Sequence, residues 1–207
     1  MFTAPSVYPI VDTDVCERHG ILPEALANAC LRGGAAVLQV RHKGGSSAAL
    51  LALARRLVDV ASTFNAAVIV NDRADIAVIA RAAGVHVGQD DLSVEEALRI
   101  AGGGLVVGVS THTREQIDAA LSGGAAYIAV GPIYETATKD TGYGARGLEL
   151  VQYASGRGRP VVAIGGITLE RVPEVMAAGA SAVALISDLL TAGDPERRVR
   201  QYVRALR

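Results

Sequence analysis

Eight short apolar runs divide this chain at nearly regular intervals, at residues 7–11, 37–40, 67–70, 85–87, 105–109, 127–130, 161–164 and 182–186. Each is too short for a helix and rich in β-branched residues. None shows the strict apolar–polar alternation of a half-exposed strand. They read as strands buried on both faces, the pattern of a parallel sheet covered by helices. Composition agrees: half the chain is hydrophobic, only 4% is aromatic and there is no Trp. The core must therefore be assembled from Ala, Val, Ile and Leu.

Helical signals fill the intervals. Pro23 suits a first turn, with Ala25, Leu26, Ala29 and Cys30 on one face. Ser93-Val-Glu-Glu96 and Thr113-Arg-Glu-Gln116 read as capping boxes, and Asp194-Pro195 as an N-cap followed by a proline at N1. Gly33-Gly34, Gly84, Gly123-Gly124 and Gly179 read as left-handed helix ends. The succession of helix end, glycine and strand recurs at Leu31, Leu121 and Met176, an αβ unit stated repeatedly. Eight such units form either a closed barrel or an open doubly wound sheet. No G-x-G-x-x-G follows the first strand, and eight regular units favour the barrel. The expectation is an α/β protein, one (β/α)₈ TIM-barrel domain over residues 1–207, near the lower end of the size range for that fold.

A net charge of −1 gives no reason to expect nucleic-acid or membrane-surface binding. No stretch is long and apolar enough to span a bilayer, and the first residues lack the pattern of a signal peptide. Cys16 and Cys30 form no CxxC pair. The expected setting is cytoplasmic, and apolar surface on the outer helices is compatible with a homodimer.

In a barrel the chemistry lies on the loops after the strands. Asp12 follows the first run. Gln39, Arg41 and Lys43 fall within and after the second; Asn71, Asp72 and Arg73 follow the third; Gln89, Asp90 and Asp91 follow the fourth. Ser110-Thr111-His112 ends the fifth. Thr136, Thr138 and Lys139 lie beyond the sixth, Gly165-Gly166 after the seventh, and Ile186-Ser187-Asp188 at the eighth. Of 20 basic residues only Lys43 and Lys139 are lysines, and both fall on this face. Lysine offers a mobile point charge suited to phosphate oxygens.

Asp72 with Asp91 or Asp90, on neighbouring strands and without His or Cys partners, suits a hard cation such as Mg²⁺ bridging to phosphate. The plainer reading has Asp72 capping the next helix and Asp90 or Asp91 opening a turn. Arg41, Lys43 and Lys139 would supply the cationic side of a diphosphate site. Gly165-Gly166 and Ser187 suit a second anion site, built from backbone N–H groups after the seventh and eighth strands. Two anion sites suggest two phosphorylated small molecules. His19, His42, His86 and His112 show no obvious Ser or Cys nucleophile partner in the sequence and read as structural. Tyr8, Tyr127 and Tyr134 read as packing or rim residues.

Several blocks resemble the thiamine phosphate synthase family: Leu38-Gln-Val-Arg-His-Lys43, Val70-Asn-Asp-Arg73, Gly84-Val-His-Val-Gly-Gln-Asp-Asp91, Gly108-Val-Ser-Thr-His112, Gly131-Pro-Ile-Tyr-Glu-Thr-Ala-Thr-Lys139 and Ile164-Gly-Gly-Ile167. The resemblance implies a transferase. It would join 4-amino-5-hydroxymethyl-2-methylpyrimidine diphosphate to a thiazole phosphate, or its carboxylated form, releasing pyrophosphate with Mg²⁺ as cofactor. It also implies roles. Asp72 and Asp91 would hold the metal; Arg41, Lys43, Asn71 and Lys139 the diphosphate; Gln39 and Ser110 the pyrimidine and leaving group. Thr136, Thr138, Gly166, Ile186 and Ser187 would hold the thiazole phosphate. Ser110, Lys139 and Arg41 would be the catalytic residues in this scheme. Glu135 departs from the family, which has proline or a small residue there, and the segment 140–146 matches it least. Three other functions compete: a thiazole tautomerase paralogue, a barrel epimerase of sugar phosphates, and a non-catalytic sensor of a thiamine precursor. The paired cations and carboxylates favour the synthase.

Overall fold

A computed structural model describes residues 5–136, 142–191 and 193–206. Eight parallel strands close on themselves in sequence order: β1 Ser6–Asp12, β2 Val37–Arg41, β3 Ala67–Asn71, β4 Gly84–Val87, β5 Val106–Thr111, β6 Tyr127–Val130, β7 Val161–Ile164 and β8 Ala182–Leu185. Every apolar run is a strand, within a residue or two at its ends. The helices between them are α1 Thr13–Arg18, α2 Pro23–Arg32, α3 Ser47–Ser62, α4 Ala74–Ile79, α5 Val94–Ala101, α6 Arg114–Ser122, α7 Gly147–Ala154, α8 Val172–Ala177 and α9 Pro195–Ala205.

Packing falls into two layers, as a closed parallel barrel requires. Outward strand residues such as Val40, Val70, Val85 and Ile128 meet the inner helix faces, including Leu26, Leu57, Ile117 and Val199. Inward residues form a separate cluster of Tyr8, Ile10, Val37, Ile69, Tyr127, Ala129, Val162, Ala182 and Ala184. Each fully buried Leu or Ile adds about 1.5–3 kcal/mol relative to exposure. Outside the core, Val78, Ile79 and Ile100 stand exposed on α4 and α5.

The caps follow the sequence with two corrections. Ser93 and Glu96 form a complete capping box on α5. Thr113 accepts from Gln116 N at 3.3 Å, but the Gln116 side chain accepts from His112 N at 2.7 Å, one residue earlier than a box requires. Gly34, Gly124 and Gly179 take left-handed backbone as expected. Gly84 does not: it opens β4, and Arg81 (φ 56°) takes the left-handed position after α4. Gly84 is needed for proximity, because a Cβ there would sit 2.4 Å from the Val106 carbonyl oxygen.

Candidate active site

The strand register brings the ends of β1 to β4 together. Asp12 and Arg41 are direct partners between β1 and β2, and their side chains form an ion pair. Asp12 also caps α1, accepting from the N–H groups of Asp14 (3.0 Å) and Val15 (3.1 Å). It is therefore fixed from two sides and holds Arg41 at the barrel mouth. Arg41 Nε is buried and has no hydrogen-bond partner among the described residues, leaving a donor for an anion.

Lys43 lies beyond the end of β2 and forms an ion pair with Asp72. Asp72 has left-handed backbone (φ 64°), and its N–H donates to the His86 carbonyl at 2.7 Å. It does not cap α4, whose N-cap is Arg73 without a side-chain bond. Burial holds the Asp72 carboxyl above the usual range; Lys43 opposes that shift, and the adjacent Asp91 carboxyl adds to it. Asp91 Oδ2 accepts from Gly88 N at 2.8 Å, so the turn-forming role and the pairing with Asp72 coexist. Asn71, the last residue of β3, lies opposite His86 in β4.

Among the described residues, no three or more His, Cys, Asp or Glu side chains gather into a metal-binding group. A pair of carboxylates is nonetheless the donor set that suits Mg²⁺, which usually takes one or two carboxylates and completes its shell with water and phosphate. Asp72 and Asp91 lie against each other with Lys43 as the cation beside Asp72, so the pair offers the oxygen donors that suit such an ion.

Inside the barrel a buried polar chain runs from β2 to β5. Gln39 Nε2 donates to the Tyr8 hydroxyl at 3.0 Å, which lies 2.9 Å from the Tyr127 hydroxyl. The Tyr127 hydroxyl is 2.9 Å from His86 Nδ1, and His86 Nε2 is 2.9 Å from Ser110 Oγ. Two expected site residues, Gln39 and Ser110, are thus the ends of one network. The reading of Tyr8 and Tyr127 as packing residues covers their rings but misses their hydroxyls.

The other half of the mouth is a cavity of about 340 Å³. Its lining includes Ser110, Thr136, Gly166, Ile186 and Ser187 from the expected set, together with His112, Glu135, Arg171 and Asp188. Gly165 (φ 99°) and Gly166 (φ 62°) both take left-handed backbone, and a Cβ on Gly166 would meet the Glu135 carbonyl oxygen at 2.6 Å. Arg171 donates to the Gly166 carbonyl at 2.6 Å and stacks 4.1 Å from the Tyr134 ring centroid. Sequence reasoning gave Arg171 no role, since nothing in its local pattern separates it from other surface arginines. Gln39, Arg41, Lys43, Asn71, Asp72 and Asp91 lie outside this lining. Thr138 and Lys139 fall outside the described residues.

The profile of the thiamine monophosphate synthase family matches residues 7–189. The chain belongs to that family. A thiamine-phosphate synthase of Anaeromyxobacter dehalogenans is 46% identical over 86% of this chain and 80% of its own length. One from Koribacter versatilis is 40% identical over 98% and 96%. Some other curated relatives of that name are longer, and the chain spans about half their length. Among solved structures, a thiamine phosphate pyrophosphorylase of Pyrococcus furiosus superposes with a TM-score of 0.86 at 27% identity, covering 97% of this chain and 95% of that one. Family membership identifies an enzyme, a transferase that releases pyrophosphate.

Proposed function

We propose that this chain joins a pyrimidinylmethyl diphosphate to a thiazole phosphate, giving thiamine phosphate and pyrophosphate. Two features support the reading: the family match, and the meeting of Lys43, Asp72 and Asp91 beside a separate glycine-lined cavity. A tautomerase or a sugar-phosphate epimerase would need the cavity but has no use for the cation–carboxylate cluster.

In this reading the carbon–oxygen bond between the pyrimidine methylene and the diphosphate breaks, and the electron pair leaves with pyrophosphate. The thiazole nitrogen then donates its lone pair to the methylene carbon. No side-chain nucleophile is required. Arg41, Lys43, Asn71 and Lys139 bind the diphosphate and stabilise its growing charge. Asp72 and Asp91 hold Mg²⁺, which supplies further neutralisation of the leaving group when bound. Gln39 orients the pyrimidine, and Ser110 donates its hydroxyl hydrogen to the leaving group. Thr136, Thr138, Gly166, Ile186 and Ser187 seat the thiazole phosphate. Much of the catalysis is then positioning of two rings in a site shielded from water.

The test is to mix the protein with both substrates and Mg²⁺ and to follow pyrophosphate and thiamine phosphate by chromatography. Equal amounts of both products, lost with chelator and with Asp72→Ala, support the reading. A folded native protein that makes neither product overturns it.

A further inference from the structure

Helix α9 braces the wall of the cavity at Asp188 and Ile167. Asp188 follows Ser187 in the short 3-10 turn Ser187–Leu189 and lines the cavity. A free carboxylate beside a phosphate repels it. Here both oxygens are engaged from α9. Arg198 Nε donates to Oδ2 at 2.8 Å and Nη2 to Oδ1 at 3.1 Å, a bidentate fork. The Tyr202 hydroxyl approaches Oδ2 at 2.5 Å and the Ile167 carbonyl at 3.3 Å. One phenol therefore touches the loop after β7 and the turn after β8, the two walls that hold Gly166 and Ser187.

These contacts are sheltered. The Arg198 and Asp188 side chains are 14% and 16% exposed, and Tyr202 is fully buried. Burial and the Asp188 carboxylate hold the Tyr202 phenol far above its usual pKa, so it remains a hydrogen-bond donor. An ion pair this sheltered is screened less by salt than a surface pair. The other ion pairs of α9 do not touch the cavity: Glu196 bonds Arg32 at 2.8 Å and Arg200 at 2.6 Å on the outer face.

We propose that α9 sets the phosphate affinity of this cavity, with Arg198 cancelling the charge of Asp188 and Tyr202 tying together the two loops that enclose the phosphate. Both are positioning residues, and the inference rests on the reading of the cavity as the thiazole-phosphate end. It makes the binding strength depend on a carboxylate–guanidinium pair that never contacts the reacting atoms.

The experiment measures binding of the thiazole phosphate and of inorganic phosphate by calorimetry, and KM for each substrate. The proteins are native, Arg198→Met, Arg198→Met with Asp188→Asn, Tyr202→Phe and Glu196→Gln, each checked for cooperative unfolding. Arg198→Met should weaken phosphate binding about tenfold or more, because it leaves the Asp188 charge uncompensated in the cavity lining. Adding Asp188→Asn should restore most of that loss, which a purely structural role for Arg198 would not permit. Tyr202→Phe should raise KM for the thiazole phosphate several-fold and leave KM for the pyrimidine diphosphate unchanged. Glu196→Gln should bind as the native protein does. Native-like binding by Arg198→Met and Tyr202→Phe, failure of the double variant to recover, or equal weakening in Glu196→Gln would each overturn the proposal. Absence of phosphate binding by the native protein would instead overturn the reading of the cavity itself.

Discussion

Asp72 combines a left-handed backbone (φ 64°), an ion pair with Lys43 and a second carboxyl beside it. Asp tolerates that backbone better than most residues, yet the conformation still costs about 1 kcal/mol. Such strain, at a residue that also faces like charge, agrees with the proposed metal-holding role of Asp72. Asp72→Asn keeps the shape and removes the charge. Turnover should fall about 100-fold or more, while urea unfolding shifts little, since the variant loses both the Asp91 repulsion and the Lys43 attraction. The sign of the pH effect follows from the raised carboxyl. Metal binding requires the ionised form, and a raised pKa means that protonation begins at a higher pH. The Mg²⁺ concentration for half-maximal activity should therefore climb on acidification before ordinary carboxylates begin to titrate, as Mg²⁺ titrations at several pH values would show. Tyr127→Phe probes a different residue-level feature. It interrupts the chain from Gln39 to Ser110, leaves buried partners unmatched, and should lower stability by about 1–3 kcal/mol in urea.

At the scale of the element, the strands were legible because each is a β-branched run with no alternative helical period. Helix ends were less so. Gly84 and Arg81 follow the same helix, and only the packed structure reveals which one turns and which one touches. Arg81 is exposed and can take a positive φ without a clash; Gly84 is buried against the Val106 carbonyl and has no room for a side chain. A glycine required by proximity and a glycine required by φ look alike in sequence. The two positions should respond oppositely to substitution. Arg81→Gly relieves left-handed strain and should stabilise by up to about 1 kcal/mol, part of it offset by the freer unfolded chain. Gly84→Ala forces β4 away from β5 and should destabilise by about 3 kcal/mol. Thermal unfolding of the two variants side by side checks both directions.

Across the whole molecule, a closed parallel barrel turns eight separate strand ends into one rim, which is why a list of strand-end residues names groups that the fold brings near one another. Arg171 is absent from that list, and His112 and Asp188 stand on it without a role, because all three gain meaning only from the cavity they share. Their neighbours across that cavity lie far away in sequence. In the proposed reading the rim also separates two anion sites. Arg41, Lys43, Asp72 and Asp91 belong to the ends of β2, β3 and β4, whereas Gly166 and Ser187 belong to the ends of β7 and β8. Ser110, on β5, joins them: its hydroxyl ends the buried chain from Gln39 while the residue lines the cavity. With the carboxylates on one side only, a divalent cation should serve one substrate only. Calorimetry with the pyrimidine diphosphate should show affinity that collapses on chelation, because two carboxylates close to a diphosphate repel it without the intervening charge. The thiazole phosphate, which the proposed reading seats on backbone N–H groups, should bind equally well with or without Mg²⁺. Equal dependence of both substrates on the metal would mean that the two sites are one, and that the division of the rim has no functional counterpart.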